Sequence, residues 1–220
     1  MTHLGLFAKW PRAGLVKTRL ATALGTPLAT RIADAFLRDA VIRFHEIAER
    51  QVIVFAPDED RELFCNLAEG SWELEPQGPG DLGERLQRFF TRCLTSVGDV
   101  VIALGTDSPT LPVEFVSRAF DMLQSHEVVL GPATDGGYYL VGLSQPRPEI
   151  FEGIAWSSAD VLGQTIDRLG DARVALLPVW YDVDTPEDWQ MLRGHLRAWH
   201  RAGVRIDCPH TAELAGISLL

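Results

Sequence analysis

The chain is poor in cysteine. It has three in 220 residues, Cys65, Cys93 and Cys208, odd in number and far apart. They form no redox or zinc spacing and no disulfide framework, and this usage points to a reducing, cytoplasmic setting. The six histidines are scattered without a metal-type pair, which argues against zinc. No run approaches the 18 or so apolar residues of a membrane-spanning helix, so no span is expected. The N-terminus lacks the basic region, apolar stretch and cleavage site of a leader, and reads as a strand. No G-x-G-x-x-G occurs. Gly14-Leu15-Val16-Lys17-Thr18 comes nearest to a phosphate-binding P-loop but has Val16 where glycine must precede the lysine. The most telling absence is of acid: the first 33 residues contain none, although the whole chain has a formal net charge of −10. That overall acidity excludes a general nucleic-acid binder, which needs a broad basic face.

What stands in the acid-free stretch is Lys9, Arg12, Lys17, Arg19 and Arg31. Four of these five bases fall within Phe7–Leu20, beside Pro11 and Gly14. A Pro/Gly turn after a strand can aim backbone N–H groups at an anion, and the bases add full charges. A nucleotide phosphate is the expected anion. A solvated basic loop is the plainer alternative.

Hydrophobic content of 46% with 23% charged residues describes a globular chain. Short apolar runs at Leu4–Ala8, Gln51–Ala56, Asp99–Leu104, Glu127–Leu130, Tyr138–Leu143 and Val174–Leu177 read as strands, with Trp72–Leu74 as a short edge strand. Helical spacing marks 28–49, 59–68, 82–97, 112–123, 159–169 and a last helix from after Asp184 to about His200. Strand and helix alternate, with no linker, repeat or low-complexity tract. The pattern predicts one α/β domain over 1–220, a mostly parallel sheet with helices on both faces. Ligands of such sheets bind beyond the carboxyl ends of the strands.

That rule selects four loops. Lys9–Arg19 follows the first strand. Gly105–Leu111 follows the strongest strand and carries Asp107, either a Mg²⁺ ligand or part of an Asp/Ser-Pro turn. Gly131–Gly137 carries Asp135, either an acceptor-binding group or base, or a hairpin residue before Gly136 and Gly137; the turn is the commoner reading. Tyr181–Asp188 carries Asp182 and Asp184 at a helix start. Thr185 or Asp184 is a natural N-cap there and Pro186 fits the first turn, with Asp184 preferred over Asp182 as a second metal ligand. Asp81 and Glu84 have capping-box spacing, and Arg85 behind them has the reach to touch a phosphate. Trp156-Ser157-Ser158-Ala159-Asp160 reads as another capped helix start, with Trp156 either stacked on a ligand or packed in the core.

Taken together, Phe7-Ala8-Lys9, Pro11-Arg12-Ala13-Gly14, Lys17-Thr18-Arg19-Leu20, Asp81-Leu82-Gly83-Glu84-Arg85, Gly105-Thr106-Asp107-Ser108-Pro109, Gly131-Pro132, Asp135-Gly136-Gly137-Tyr138-Tyr139, Trp156-Ser157 and Asp182–Asp188 resemble bacterial GT-A-type glycosyltransferases associated with radical-SAM or arsenosugar-biosynthesis genes. The resemblance implies a nucleotide-diphospho-sugar transferase fold, Rossmann-like in its sheet, with a nucleotide-sugar donor, a small-molecule acceptor and Mg²⁺ or Mn²⁺. Carried over, it implies Asp107 and Asp135 as catalytic residues, and Asp107 and Asp184 as metal ligands. Lys9, Pro11, Gly14, Lys17, Arg19 and Arg85 would bind the phosphates, and Gly136, Gly137, Tyr138 and Trp156 the substrate. The early Lys-Thr-Arg-Leu, the central Asp and the late Asp-x-Asp also resemble nucleotidyltransferases of the same fold, which release pyrophosphate. Where sugar transferases carry a central Asp-x-Asp, this chain has Thr106-Asp107-Ser108, a single carboxylate. A catalytically silent nucleotide-binding protein is the third reading.

Overall fold

The computed structural model describes residues 1–68 and 70–218; the rest of the expected domain over 1–220 lies outside the described residues. Seven strands form one sheet: β1 (Thr2–Lys9), β2 (Arg50–Ala56), β3 (Glu73–Pro76), β4 (Val100–Gly105), β5 (Val128–Pro132), β6 (Tyr138–Leu143) and β7 (Val174–Leu176). Their order is β3-β2-β1-β4-β6-β5-β7. Only β6 runs against its neighbours, β4 and β5. The mostly parallel sheet expected from the alternation of elements is therefore present.

Eight helices accompany it among the described residues: α1 (Thr18–Leu24), α2 (Thr26–Arg43), α3 (Arg61–Ala68), α4 (Leu82–Cys93), α5 (Val113–Met122), α6 (Val161–Asp167), α7 (Pro186–Arg201) and α8 (Pro209–Leu214). The period of two along the strands divides the core. In β2, Ile53 and Phe55 pack with Leu37 and Val41 of α2, Phe64 of α3 and Phe120 of α5. Val52 and Val54 pack on the other face with Phe89 and Phe90 of α4. A third cluster lies among the helices: Leu20 of α1, Ile32 and Phe36 of α2, Trp189 and Leu192 of α7 and Ala212 of α8. The inner strands are apolar on both faces because helices cover both.

Several expected boundaries move. The helix expected over 28–49 begins at Thr26 and stops at Arg43, where Phe44 leaves helical geometry. The helix expected to start at Ala159 starts at Val161 without a side-chain cap. The helix expected to run from 82 to 97 ends at Cys93. Helices α1 and α8 have no counterpart in the expectation. They are seven and six residues long, and neither has a side-chain cap from its own N-cap residue. The buried carboxylate of Asp39 on α2 holds α8, accepting from the backbone N–H of His210 and Thr211 at 3.0 and 2.8 Å. A contact across 171 residues leaves no local trace in sequence.

The sheet reverses its winding at β1. The chain passes from β1 to β2 and β3 on one side, then crosses to β4 on the other. Ligand clefts of open α/β sheets form at such switch points, beyond the carboxyl ends of the strands. Among the described residues no helix is long and apolar enough to cross a membrane.

Candidate functional site

A cleft of about 680 Å³ opens at this switch point. Its wall takes Phe7, Ala8 and Lys9 from β1, Lys17 from the loop after it, Gly105 to Ser108 from beyond β4, and Asp182 and Asp184 from the segment before α7. Backbone pairing brings the last two loops together. Trp180 bonds through its N–H to the carbonyl of Pro132, and Val183 N–H reaches the carbonyl of Asp107 at 2.9 Å. The extended stretch before α7 thus continues the sheet edge and lays Asp182 and Asp184 beside Asp107.

Lys17 is at the centre. Its Nζ contacts Asp107 Oδ1, and Asp184 Oδ1 is 2.7 Å away. The lysine side chain is 5% exposed, whereas Asp107 and Asp184 are 50% and 43% exposed. Burial pulls the lysine pKa down. The two carboxylates outweigh that pull and hold it above its ordinary value, so the group is an ammonium ion. Its backbone lies in the left-handed region, φ 47° and ψ 44°, and opens α1. Its ammonium also rides 5.4 Å above the ring of Phe36.

Asp182 has a different environment. It accepts a hydrogen bond from the Ser108 hydroxyl. Burial, the dominant influence, lifts its carboxyl to about 7, with repulsion from Asp107, Asp135 and Asp184 adding to the rise and the Ser108 bond opposing it. Asp182 thus feels three other acids, of which Asp107 and Asp184 also contact Lys17. Thr185, not Asp184, caps α7: its hydroxyl accepts from Asp188 N–H, and Asp188 accepts from the Thr185 N–H in return. The capping leaves the Asp184 carboxylate to face the lysine.

Toward β2 the cleft is built on Gln77. Its amide donates to the carbonyls of Ala8 and Val54, and its Oε1 accepts from Arg85 Nη1 at 3.0 Å. Arg85 is also tied to the Gly80 carbonyl at 2.9 Å. Asp81 and Glu84 form the expected capping box at the start of α4. The aromatic wall is Tyr138 and Trp156, edge to face with centroids 6.4 Å apart. Burial pushes the Tyr138 phenol above its ordinary pKa.

Of the residues singled out in sequence, Lys9, Lys17, Arg85, Asp107, Tyr138, Trp156 and Asp184 line the cleft. Pro11, Gly14, Arg19, Asp135, Gly136 and Gly137 do not. Gly14 and Arg19 are exposed. Arg12, one of the bases of the acid-free stretch, is paired with buried Asp60. Asp135 accepts from the Gly137 N–H at 2.8 Å in the hairpin between β5 and β6. Gly136 has φ +91°, and a Cβ there would come within 2.2 Å of the Ala159 carbonyl oxygen, so glycine is required by packing. Sequence reasoning gave no role to Ser108, although it stands in the Asp107 motif, missed Gln77, which has no motif, and ranked Asp182 below Asp184 as a metal ligand although it is the more enclosed.

The Lys17 ammonium marks a point where one cation touches two carboxylates from loops 77 residues apart. Mg²⁺ is commonly held by one or two carboxylates with water and phosphate oxygens completing its shell. The Asp107–Asp184 pair fits that requirement. Among the described residues no group of three His, Cys, Asp or Glu side chains forms a complete metal site.

This geometry belongs to a sheet of the nucleotide-diphospho-sugar transferase type. The fold superimposes on a proposed nucleotide-diphospho-sugar transferase from Desulfovibrio desulfuricans G20 with TM-score 0.86 and 29% identity, over 98% of this chain and 96% of that one. It also superimposes on 4-diphosphocytidyl-2C-methyl-D-erythritol synthase from Anaerococcus prevotii DSM 20548, with TM-score 0.59 and 11% identity over 90% of this chain and 98% of the other. A CMP:2-keto-3-deoxy-manno-octonic acid synthetase, solved with CTP, matches with TM-score 0.51 and 11% identity over the same shares. The latter two likenesses are of fold. No curated protein matches the sequence. The chain belongs to the DUF2064 family, described as "Uncharacterized protein conserved in bacteria", whose pattern matches residues 39–158.

Proposed function

We propose that this protein is a glycosyltransferase that uses a nucleotide-diphospho-sugar and a divalent cation, Mg²⁺ or Mn²⁺. The observation that carries the reading is the meeting of Asp107 and Asp184 on one cation at the sheet's switch point. Likeness to the D. desulfuricans protein over nearly the whole of both chains supports it.

Asp107 and Asp184 would hold the metal. When bound, the metal neutralises charge on the leaving nucleoside diphosphate. Lys9 and Arg85 present positive charge to the phosphates from the β1 and α4 sides of the cleft, with Arg85 aimed by Gln77. Tyr138 and Trp156 offer apolar faces to the sugar or base. Asp135, at the hairpin tip, is assigned to the acceptor and can take a proton from its hydroxyl. Ser108 and Asp182 hold the Asp107 loop against the segment before α7.

Nucleotidyl transfer with release of pyrophosphate is the second reading. The single carboxylate of Thr106-Asp107-Ser108 favours it. The two are separated by incubating the protein with Mg²⁺ and a panel of nucleoside triphosphates and nucleotide sugars, following thermal shift and products. Stabilisation by a nucleotide sugar and release of nucleoside diphosphate are expected. Stabilisation by a triphosphate alone, with pyrophosphate released, overturns sugar transfer.

A further inference from the structure

The enclosure of Lys17 differs from that of its partners. The lysine side chain is 5% exposed, while both carboxylates remain about half open to the cleft. Solutes in the cleft therefore reach the acids more readily than the ammonium. In the free chain it is held from three directions: the left-handed backbone that opens α1, the ring of Phe36, and Asp107 with Asp184. A neighbouring base is poorly placed to exchange with it, since Arg12 is held by Asp60.

A divalent metal seated on the same two carboxylates would stand close to the ammonium, and their mutual repulsion weakens its binding unless an anion joins them. A phosphate supplies that anion. Lys17 lines the cleft, and a lysine is a compact charge on a flexible stem that re-aims over a short distance. We infer that Lys17 is a specificity-determining residue: it reserves the Asp107–Asp184 pair for a divalent metal arriving with a phosphate ligand, and excludes the free metal. This rests on the reading of that pair as the metal site. In the free chain the ammonium is the resident cation. In the loaded chain the phosphate takes the ammonium, and the carboxylates pass to the metal. The site thereby selects a metal–phosphate complex over either component alone.

The test is equilibrium dialysis of Mn²⁺, alone and with inorganic pyrophosphate. Wild type should retain Mn²⁺ weakly alone and much more tightly with pyrophosphate. Lys17→Met should bind Mn²⁺ alone about tenfold or more tightly than wild type, the effect of removing a competing contact charge. Asp107→Asn in that background should abolish the gain. Lys17→Arg, which keeps the charge, should exclude free Mn²⁺ as wild type does. Equal binding of free Mn²⁺ by wild type and Lys17→Met, with pyrophosphate-loaded wild type still holding Mn²⁺, overturns the selection while leaving the metal site standing. Mn²⁺ retained by none of the proteins, with or without pyrophosphate, overturns both. Should Lys17→Met not fold, wild type decides the matter: Mn²⁺ held equally tightly with and without pyrophosphate refutes the proposal.

Discussion

Lys17 and Asp184 stand 167 residues apart in the chain and 2.7 Å apart in the fold. The pair ties the basic loop after β1 to the acidic segment before α7, so the lysine proposed to meet phosphate and the carboxylate proposed to hold metal are placed as one arrangement. Lys17→Ala should weaken nucleotide binding by about 1–3 kcal/mol, the scale of a charge-assisted hydrogen bond. Titration calorimetry checks this, and an unchanged dissociation constant removes the lysine from the phosphate site.

Asp107→Asn should lower transfer by at least about 100-fold, more than the loss of an outer partner of a metal ligand. The fold should be weakened but kept, because Asp184 still pairs with the buried Lys17 ammonium. Product formation and thermal unfolding are to be measured on the same preparation. Retained transfer would place the metal elsewhere.

Arg43, at the end of α2, donates to the carbonyls of Pro109 and Leu111, just beyond Asp107 and Ser108. Burial pushes its pKa down from the ordinary arginine value. Arg43→Met strips both carbonyls of their partner and should cost about 1–3 kcal/mol in urea unfolding. It should also loosen the Asp107 loop, so transfer should fall further than the stability loss explains. A variant as stable as wild type would mean that water replaces the guanidinium at no cost.

Gly136→Ala combines a left-handed backbone with a Cβ directed into the Ala159 backbone. The expected cost is about 1–3 kcal/mol. Denaturant midpoints of the two proteins measure it, and equal midpoints would show that the hairpin relaxes freely.

Asp182 imposes a pH dependence. Its carboxyl is raised from 3.8 to about 7 in the folded chain. The unfolded chain therefore releases this proton near the lower value, while the folded chain keeps it to the higher one. Its contribution favours folding most fully below 3.8 and is lost as pH rises through about 7. Asp182→Asn should remove this slope, so the variant gains on wild type in urea unfolding from pH 4 to 7.5. A difference that stays flat over that range contradicts the raised carboxyl.

The sequence carried the layered fold because its strands are apolar runs and its long helices have a clear period. It carried the positions of Asp107 and Asp184 because both follow strands on the ligand side of a parallel sheet. It also carried the Thr185 cap and the Asp81–Glu84 box, which are local. It did not carry α8, whose N-terminus is satisfied by Asp39 on a distant helix. It did not carry Gln77, whose partners are main-chain carbonyls of β1 and β2. Arg12 read as one more base in a positive patch, whereas the fold commits it to Asp60. Charge counted along a chain cannot show which partner each group meets.

The pairing of β5 with β6 shifts by one residue between Gly131 and Pro132, leaving Tyr139 as an extra residue opposite that step. Tyr139 consequently packs in the same cluster as Leu140, and Tyr138 turns to the opposite face and meets Trp156. Without the bulge, strict alternation before Leu140 would send Tyr139 to the face of Trp156 and Tyr138 to the opposite face. One irregular step in a strand thus decides which tyrosine ring stands beside Trp156.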